Sequence, residues 1–213
     1  RKQGRAFVCK ETIYRHLYAE GKAGGTLWRC LPRAHRKRRR RCPRADGRGK
    51  GRIRNQRRID TRPAEVETRE TLGHWEGDLL FADRNSQIAT LVERQTRYLM
   101  LVKVAGKDTE TVVNALIKNA RRLPKQLYRS LTWDRGKEMA AHRRFTLATD
   151  IQVYFCDPHH PWQRGTNENT NGLLRQYFPK GINLADVTQA KLDAVARQLN
   201  ERPRKTLDYE TPA

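Results

Sequence analysis

The chain has 213 residues, enough for one domain with a true core and something smaller beside it. Its net charge of +22 is uneven: residues 1–70 hold 23 Lys and Arg against 7 Asp and Glu, whereas residues 71–213 hold 22 against 16. That balance calls for a polyanionic partner, with nucleic acid the default, and it excludes an obvious membrane protein, since no apolar stretch is long enough to span a bilayer, no apolar face accompanies the arginine run and no signal peptide is visible.

Residues 6–21, AFVCKETIYRHLYAEG, open the order of elements with a short helical pattern, Ile13 and Leu17 and then Tyr14 and Tyr18 recurring one turn apart. As the last helix of a helix-turn-helix unit it would turn Thr12, Arg15 and His16 toward DNA; the alternative is a small packing helix. Residues 33–62 are dominated by arginine, with Arg38, Arg39, Arg40 and Arg41 in one run. Apolar residues are almost absent there, so the stretch cannot fold alone and reads as a flexible basic arm that neutralises phosphates. Such contacts give affinity that weakens with salt, and they carry no sequence information. Cys9, Cys30, Cys42 and Cys156 form no CxxC pair and have no histidines at zinc-finger spacing, which is the usage of reduced thiols in a cytoplasmic protein.

From residue 73 the pattern turns to strands. GHWEGDLLFAD (73–83), QIATLVER (87–94) and RYLMLVKV (97–104) are three consecutive β-type runs with links short enough for antiparallel hairpins. A helix follows over 108–124, capped by Asp108 and lined inside by Val112, Leu116 and Ala120. SLTWD (130–134) is a fourth strand, 138–149 a helix and IQVYFCD (151–157) a fifth strand. After the loop Pro158-His159-His160-Pro161 comes a helix from Thr166 that turns apolar at Leu173, Leu174, Tyr177 and Phe178, and residues 188–201 form a last amphipathic helix. This order predicts an α/β fold, a mixed five-stranded sheet flanked by helices. It is also the order of the ribonuclease-H-like fold, where acids from the first strand, a later strand and a following helix meet.

Three acids stand at those places. Asp78 is within the first strand, Asp134 ends the fourth, and Glu168 lies on the helix after the fifth, with 33 residues between the last two. Phosphodiester chemistry needs an activated nucleophile and a stabilised leaving oxygen, which two Mg²⁺ ions held by carboxylates can supply. Three clustered carboxylates without metal would repel one another, so the empty site should be poorly ordered or partly protonated. Glu76, on the same strand face as Asp78, and Asp157, at the end of the fifth strand, are rival acids, and Asp83 has the wrong parity. Glu168, Gly172 and Arg175 share one helix edge, a carboxylate, a gap and a cation. His74, Trp75 and Trp162 read as packing or orienting residues rather than reactive ones.

Those blocks, with LVERQTRYLMLV, LTWDRGKEMAAHRRF, FCDPHHPWQRGTNENTNGLLRQYFPKG and LNERPRKTL, resemble the transposases of the insertion-sequence-thirty family, within the DDE transposase and retroviral-integrase superfamily. The resemblance runs from about Glu11 to the end of the chain. It implies a ribonuclease-H-like integrase core over 71–213, a basic and partly disordered linker over 33–70, and over 1–32 the remnant of an N-terminal helix-turn-helix region. It implies Asp78, Asp134 and Glu168 as catalytic and metal-binding, Mg²⁺ as cofactor with Mn²⁺ able to substitute, and Arg175 against DNA, with Arg164, Arg15 and the Arg38–Arg41 run as further DNA contacts. The implied partners are double-stranded element ends and target DNA, with a homo-oligomer assembled on them and no membrane. Cys9 stands where a small capping hydroxyl is usual, and His160 where a serine is. The family's upstream DNA-binding helices and C-terminal extension are not in this sequence, which reads as a piece of something longer. Two other readings follow from that: an inactive fragment that binds DNA, or a stand-alone nuclease of the same fold.

Overall fold

The computed structural model describes residues 8–31, 34, 53, 55–82, 86–106, 108–158 and 160–213. They belong to two compact units, Arg1–Arg48 and Gly49–Ala213. In the first unit, α1 spans Lys10–Lys22. Cys9 is its N-cap, but the thiol makes no capping bond to the backbone and lies instead 3.2 Å from the Thr12 hydroxyl. A hydroxyl or carboxylate in its place would add about 1 kcal/mol of helix stability. A 3₁₀ turn over Leu27–Cys30 folds Trp28 back on α1, where a Cβ at Gly21 would come within 2.9 Å of the indole. Arg15 and His16 are exposed.

The second unit is built on a six-stranded sheet in the order β1-β6-β5-β2-β3-β4. The strands are β1 (Arg57–Arg58), β2 (His74–Phe81), β3 (Gln87–Glu93), β4 (Leu99–Val104), β5 (Ser130–Trp133) and β6 (Gln152–Phe155). β2, β3 and β4 run antiparallel, as their short links require. β5 and β6 are reached through helices, and β5 pairs parallel with both β2 and β6. Period two then divides the sheet. Trp75, Leu79, Ala89, Leu91, Val102, Leu131, Trp133, Val153 and Phe155 point to one face and form a core with α3 (Thr109–Ala120) and α4 (His142–Thr149). Leu80, Ile88, Val92, Leu99 and Leu101 point to the other and pack under α5 (Gly165–Leu174) and α6 (Gln189–Asn200). Asp108 caps α3 by accepting from the Thr111 amide, as the sequence predicts. Gly77 has a packing reason: a Cβ there would fall 2.2 Å from the Trp133 ring, which lies across β2.

The sequence reading differs from the structure at the edge of the sheet. The stretch 57–68, assigned to the basic arm, joins the fold. β1 pairs parallel with β6 and makes the sheet six-stranded rather than five. Ile53, just before this stretch, and Ile59 and Val66 within it are all buried, the last of them on the short helix α2 (Glu65–Thr68). The Arg62 side chain is buried too, donating to the Thr132 hydroxyl at 3.0 Å and to Glu67. The described residues of 53–68 therefore belong to the same compact unit as 71–213. Arg38, Arg39, Arg40 and Arg41, Cys42, Asp83 and His159 lie outside the described residues. Cys9, Cys30 and Cys156 are free thiols, and burial pushes Cys156 up to about 11.

Candidate active site

β2 and β5 lie side by side in parallel, with Glu76 registered against Thr132. Two residues further along each chain stand Asp78 and Asp134, so both carboxylates emerge next to one another on the α5 face. Each is held by a backbone amide: Leu79 N–H donates to Asp78 Oδ1 at 2.9 Å, and Gly136 N–H to Asp134 Oδ1 at 2.7 Å. Asn171, from the middle of α5, donates to Asp78 Oδ2 at 3.1 Å.

Arg164 lies between the two acids. Its Nη1 is 3.3 Å from Asp78 Oδ1 and its Nη2 is 3.4 Å from Asp134 Oδ2, while Nη1 also donates to the Gly77 carbonyl at 2.9 Å. The side chain is mostly buried, at 14% exposure, against 27% for Asp78 and 37% for Asp134. Burial pushes the Asp78 carboxyl above its ordinary range; Arg164 pulls it back and the Asp134 charge pushes it further. Burial works against the Arg164 charge, but the two aspartates outweigh it and hold the guanidinium's proton more tightly than usual. The repulsion expected of clustered acids is thus relieved by an internal cation. Arg164, expected against DNA, is in this state committed to carboxylates.

Glu168 is on the same helix, exposed, and makes no hydrogen bond or ion pair among the described residues. No three His, Cys, Asp or Glu side chains are gathered into a metal-binding cluster among the described residues. The structure therefore joins two of the three predicted acids directly and leaves the third on the helix above them. Arg175, seven positions after Glu168, donates to the carbonyls of Phe81 at 2.7 Å and Phe178 at 3.3 Å, pinning the end of α5 to the end of β2.

The rivals are accounted for. Glu76 is fully buried, 2.6 Å from Arg94 Nη1, and accepts from the Asn167 amide at 2.9 Å. Asp157 is tied to Gln163 and lies within ion-pair reach of Arg58 and Arg135. His74 is buried, its Nδ1 2.7 Å from the Ser130 hydroxyl. Trp75 packs and donates to the Leu127 carbonyl. Trp162, read as a packing or orienting residue, is exposed, and among the described aromatic residues it meets only the His160 ring, edge-on.

Sequence reasoning missed two residues. Asn167 accepts from the Thr90 hydroxyl and donates to the carbonyls of Glu76 and Thr90, fastening α5 across β2 and β3. Glu138 is folded back beside Asp134 by a 3₁₀ turn over Lys137–Met139. Its carboxyl lies above its usual range through burial, with the Asp134 and Asp78 charges adding to the effect. An acid four residues after Asp134 was the available signal; reading 138–149 as one helix hid it.

With this geometry in hand, the comparisons are specific. Residues 69–161 match the integrase core domain family. The chain is 50% identical over 208 residues to a protein of Escherichia coli K12, "Transposase InsI for insertion sequence element IS30A", covering 96% of this chain and 54% of that one. It is 46% identical over 209 residues to "Transposase for insertion sequence element IS1086" of Cupriavidus metallidurans, covering 96% of this chain and 61% of that protein. It is 39% identical over 215 residues to "Transposase for insertion sequence element IS4351" of Bacteroides fragilis, covering 100% and 64%. The chain thus spans only about 54–64% of the length of these curated relatives. A chain of the simian T-cell lymphotropic virus intasome, solved with PP2A regulatory subunit B56 gamma, superposes with a TM-score of 0.53 at 19% identity, over 67% of this chain and 53% of that one. At that identity the likeness is one of fold, and it supports the ribonuclease-H-like arrangement. No helix among the described residues is long and apolar enough to cross a membrane.

Proposed function

We infer that this chain, which belongs to the IS30 family of DDE transposases, carries the catalytic core that cuts DNA strands at the ends of a bacterial insertion sequence and joins them to target DNA. The observation that carries the reading is the pair Asp78 and Asp134, side by side on neighbouring parallel strands and already sharing one cation. The residues fit a divalent metal. Two carboxylates converge on one positive charge, and Glu168, without a protein partner among the described residues, has its oxygens free to complete the set.

Asp78 and Asp134 would hold the ion, with Glu168 completing the site from α5. When bound, Mg²⁺, or Mn²⁺ in its place, supplies activation of the attacking water or 3′-hydroxyl and stabilisation of the leaving oxygen. The protein's part is position. The amides of Leu79 and Gly136 fix one oxygen of each aspartate, and Asn171 orients the other oxygen of Asp78. Arg164 must release both carboxylates, and its guanidinium is then free to meet a backbone phosphate beside the reacting one, which suits its planar fork. A second reading, a DNA-binding piece that does not cut, is favoured by the closure of the site on Arg164. DNA as partner and assembly of more than one copy on it belong to the same inference.

The test is relaxation of supercoiled plasmid at low salt with Mg²⁺, Mn²⁺ or Ca²⁺, followed by joining of an oligonucleotide that carries a free 3′-hydroxyl. Cutting with Mg²⁺ and Mn²⁺, lost in Glu168→Gln, and joining that requires the 3′-hydroxyl are the expected results. Cutting without joining would instead favour the nuclease reading. Salt-sensitive binding without cutting in any metal would favour the DNA-binding fragment.

A further inference from the structure

The helix that carries Glu168 has a second charged flank. A cavity of about 230 Å³ opens beside the start of α5, lined by Gly165 and Thr166 together with Arg69, Arg97, Arg204 and Thr206. No acid lines it among the described residues. The three arginines come from separate parts of the chain: the residue after α2, the turn between β3 and β4, and the segment after α6.

Among the described residues no acid is ion-paired to these three arginines, although the charges of Glu76 and Glu93 also act on Arg97. Arg69 is exposed and makes no hydrogen bond or ion pair among the described residues. Arg97 donates only to the Thr166 hydroxyl among the described side chains. Arg204 gives one Nη to the Leu199 carbonyl at 2.8 Å, while its Nε is buried with no partner. Burial, then the neighbouring charge of Arg69, make the Arg97 guanidinium easier to deprotonate than usual; burial and Arg202 do the same to Arg204. Arg69 and Arg97 both adopt left-handed backbone, φ +60° and +64°. Glycine or asparagine would hold either turn with less strain, so the side chain rather than the turn accounts for arginine there.

Gly165 and Thr166 open α5, but the Gly165 amide donates to the Trp162 carbonyl and the Asn167 amide to Glu76, so the cavity offers an anion the arginine side chains rather than the helix amides. A Cβ on Gly165 would meet nothing within 4 Å, so the approach is open. The space takes a phosphodiester with several waters, at ~30 Å³ of liquid volume each.

We propose that Arg69, Arg97 and Arg204, around this cavity, form a site for a DNA backbone phosphate separate from the reacting one. At 100° per residue, Thr166 and Thr170 lie on the side of α5 away from Glu168, Asn171 and Arg175. The phosphate held there belongs to a stretch of duplex that runs past the helix rather than into the acids. The site positions DNA without reading its sequence, as backbone contacts do. The choice of DNA over an acidic protein surface rests on the transposase reading above.

Fluorescence anisotropy with a labelled duplex of arbitrary sequence, titrated across potassium chloride concentrations, tests this without any cutting. The variants are Arg69→Gln, Arg204→Lys and Arg204→Gln, with Lys118→Gln on α3 as the exposed control. Each lost phosphate contact should flatten the slope of log K against log salt by about 0.9. Arg69→Gln and Arg204→Gln should each show that loss and bind several-fold more weakly at fixed salt, equally for unrelated sequences. Arg204→Lys should keep most of the slope, and Lys118→Gln all of it. Arg69 has no hydrogen-bond or ion-pair partner among the described residues, so its variant remains informative if Arg204→Gln fails to fold. An unchanged slope in Arg69→Gln would overturn the proposal, even in a chain that cuts DNA. The same unchanged slope with loss of self-association in sedimentation would assign the cluster to an acidic surface of a second copy. A flattened slope in a chain that never cuts would keep the phosphate site and remove the transposase reading.

Discussion

Glu76 and Asp78 stand two residues apart on β2, point to the same face of the sheet, and each meets an arginine, yet their surroundings are opposite. Glu76 is 0% exposed and its carboxylate is fully engaged, with Arg94 on one oxygen and the Asn167 amide on the other. Arg94 in turn donates to the Val66 carbonyl, so the pair is closed on both sides. Asp78 is partly open, its carboxyl pushed up by burial, and its arginine is shared with Asp134 at 3.3 and 3.4 Å rather than bonded tightly to either. One strand thus carries a carboxylate that fastens the fold and, one step on, a carboxylate held in readiness. A buried ion pair with every lone pair satisfied resists exchange; a loosely shared cation can be replaced.

The largest expected effect separates the two by chemistry. Asp78→Asn and Glu168→Gln should each lower metal-dependent plasmid cutting by on the order of 10³-fold, several kcal/mol of lost transition-state stabilisation. Thermal melts should change little for Glu168→Gln, whose carboxylate has no protein partner among the described residues. Retained cutting in either variant would remove that acid from the site. Glu76→Gln should do the reverse. It strands the buried Arg94 charge, so unfolding free energy should fall by roughly 3–5 kcal/mol, and the melting temperature by about 2–4 °C for each of those. A melt unchanged by Glu76→Gln would erase the contrast between the two carboxylates.

Much of this was legible in the sequence, and the limits have physical causes. Alternation over 73–104 fixed three strands, and the Asp108 cap and the amphipathic runs fixed α3 and α6. Asp78, Asp134 and Glu168 are singled out because a first strand, the end of a later one and a following helix are where such folds gather ligands, and the first two do converge on Arg164. Period two could not tell Glu76 from Asp78, since the difference is burial under α2 and Arg94, which no local pattern encodes. Residues 57–68 were lost to the arm because Ile53, Ile59 and Val66 are spaced too widely to form a pattern, and because Arg62 looks solvent-bound until Thr132 and Glu67 are seen beside it. Arg164 carried the same ambiguity. An arginine in a basic chain reads as a phosphate contact, and only the tertiary structure reveals two aspartates within reach of it.

Arg164 gives the third way to sharpen the comparison. Arg164→Gln removes the competitor for Asp78 and Asp134, so Mn²⁺ titrated by calorimetry in the absence of DNA should bind about tenfold tighter, ~1.4 kcal/mol. The metal-free variant should also melt lower than the wild type, because the two acids then face each other uncompensated, and added Mn²⁺ should recover the loss. Equal Mn²⁺ affinity in both proteins would mean that the guanidinium and the metal do not share the aspartates.

The smallest effect lies at the closed end of the same strand. His74 precedes Glu76 by one step of the same face, its Nδ1 against Ser130 and its Nε2 3.4 Å from Glu65. Burial holds its pKa below the ordinary value, and Glu65 recovers only part of that. A histidine depressed in the fold binds its proton more readily when unfolded. Its contribution is therefore intact above the unfolded value near 6.5 and is lost as pH falls from there toward the folded value. The melting temperature of the wild type should decline over that interval, and His74→Gln, which keeps a hydrogen-bonding side chain but cannot titrate, should decline less. Parallel pH profiles for the two proteins would show that the ring is not kept neutral by its burial. The closed end of β2 would then share some of the adaptability assigned to Asp78.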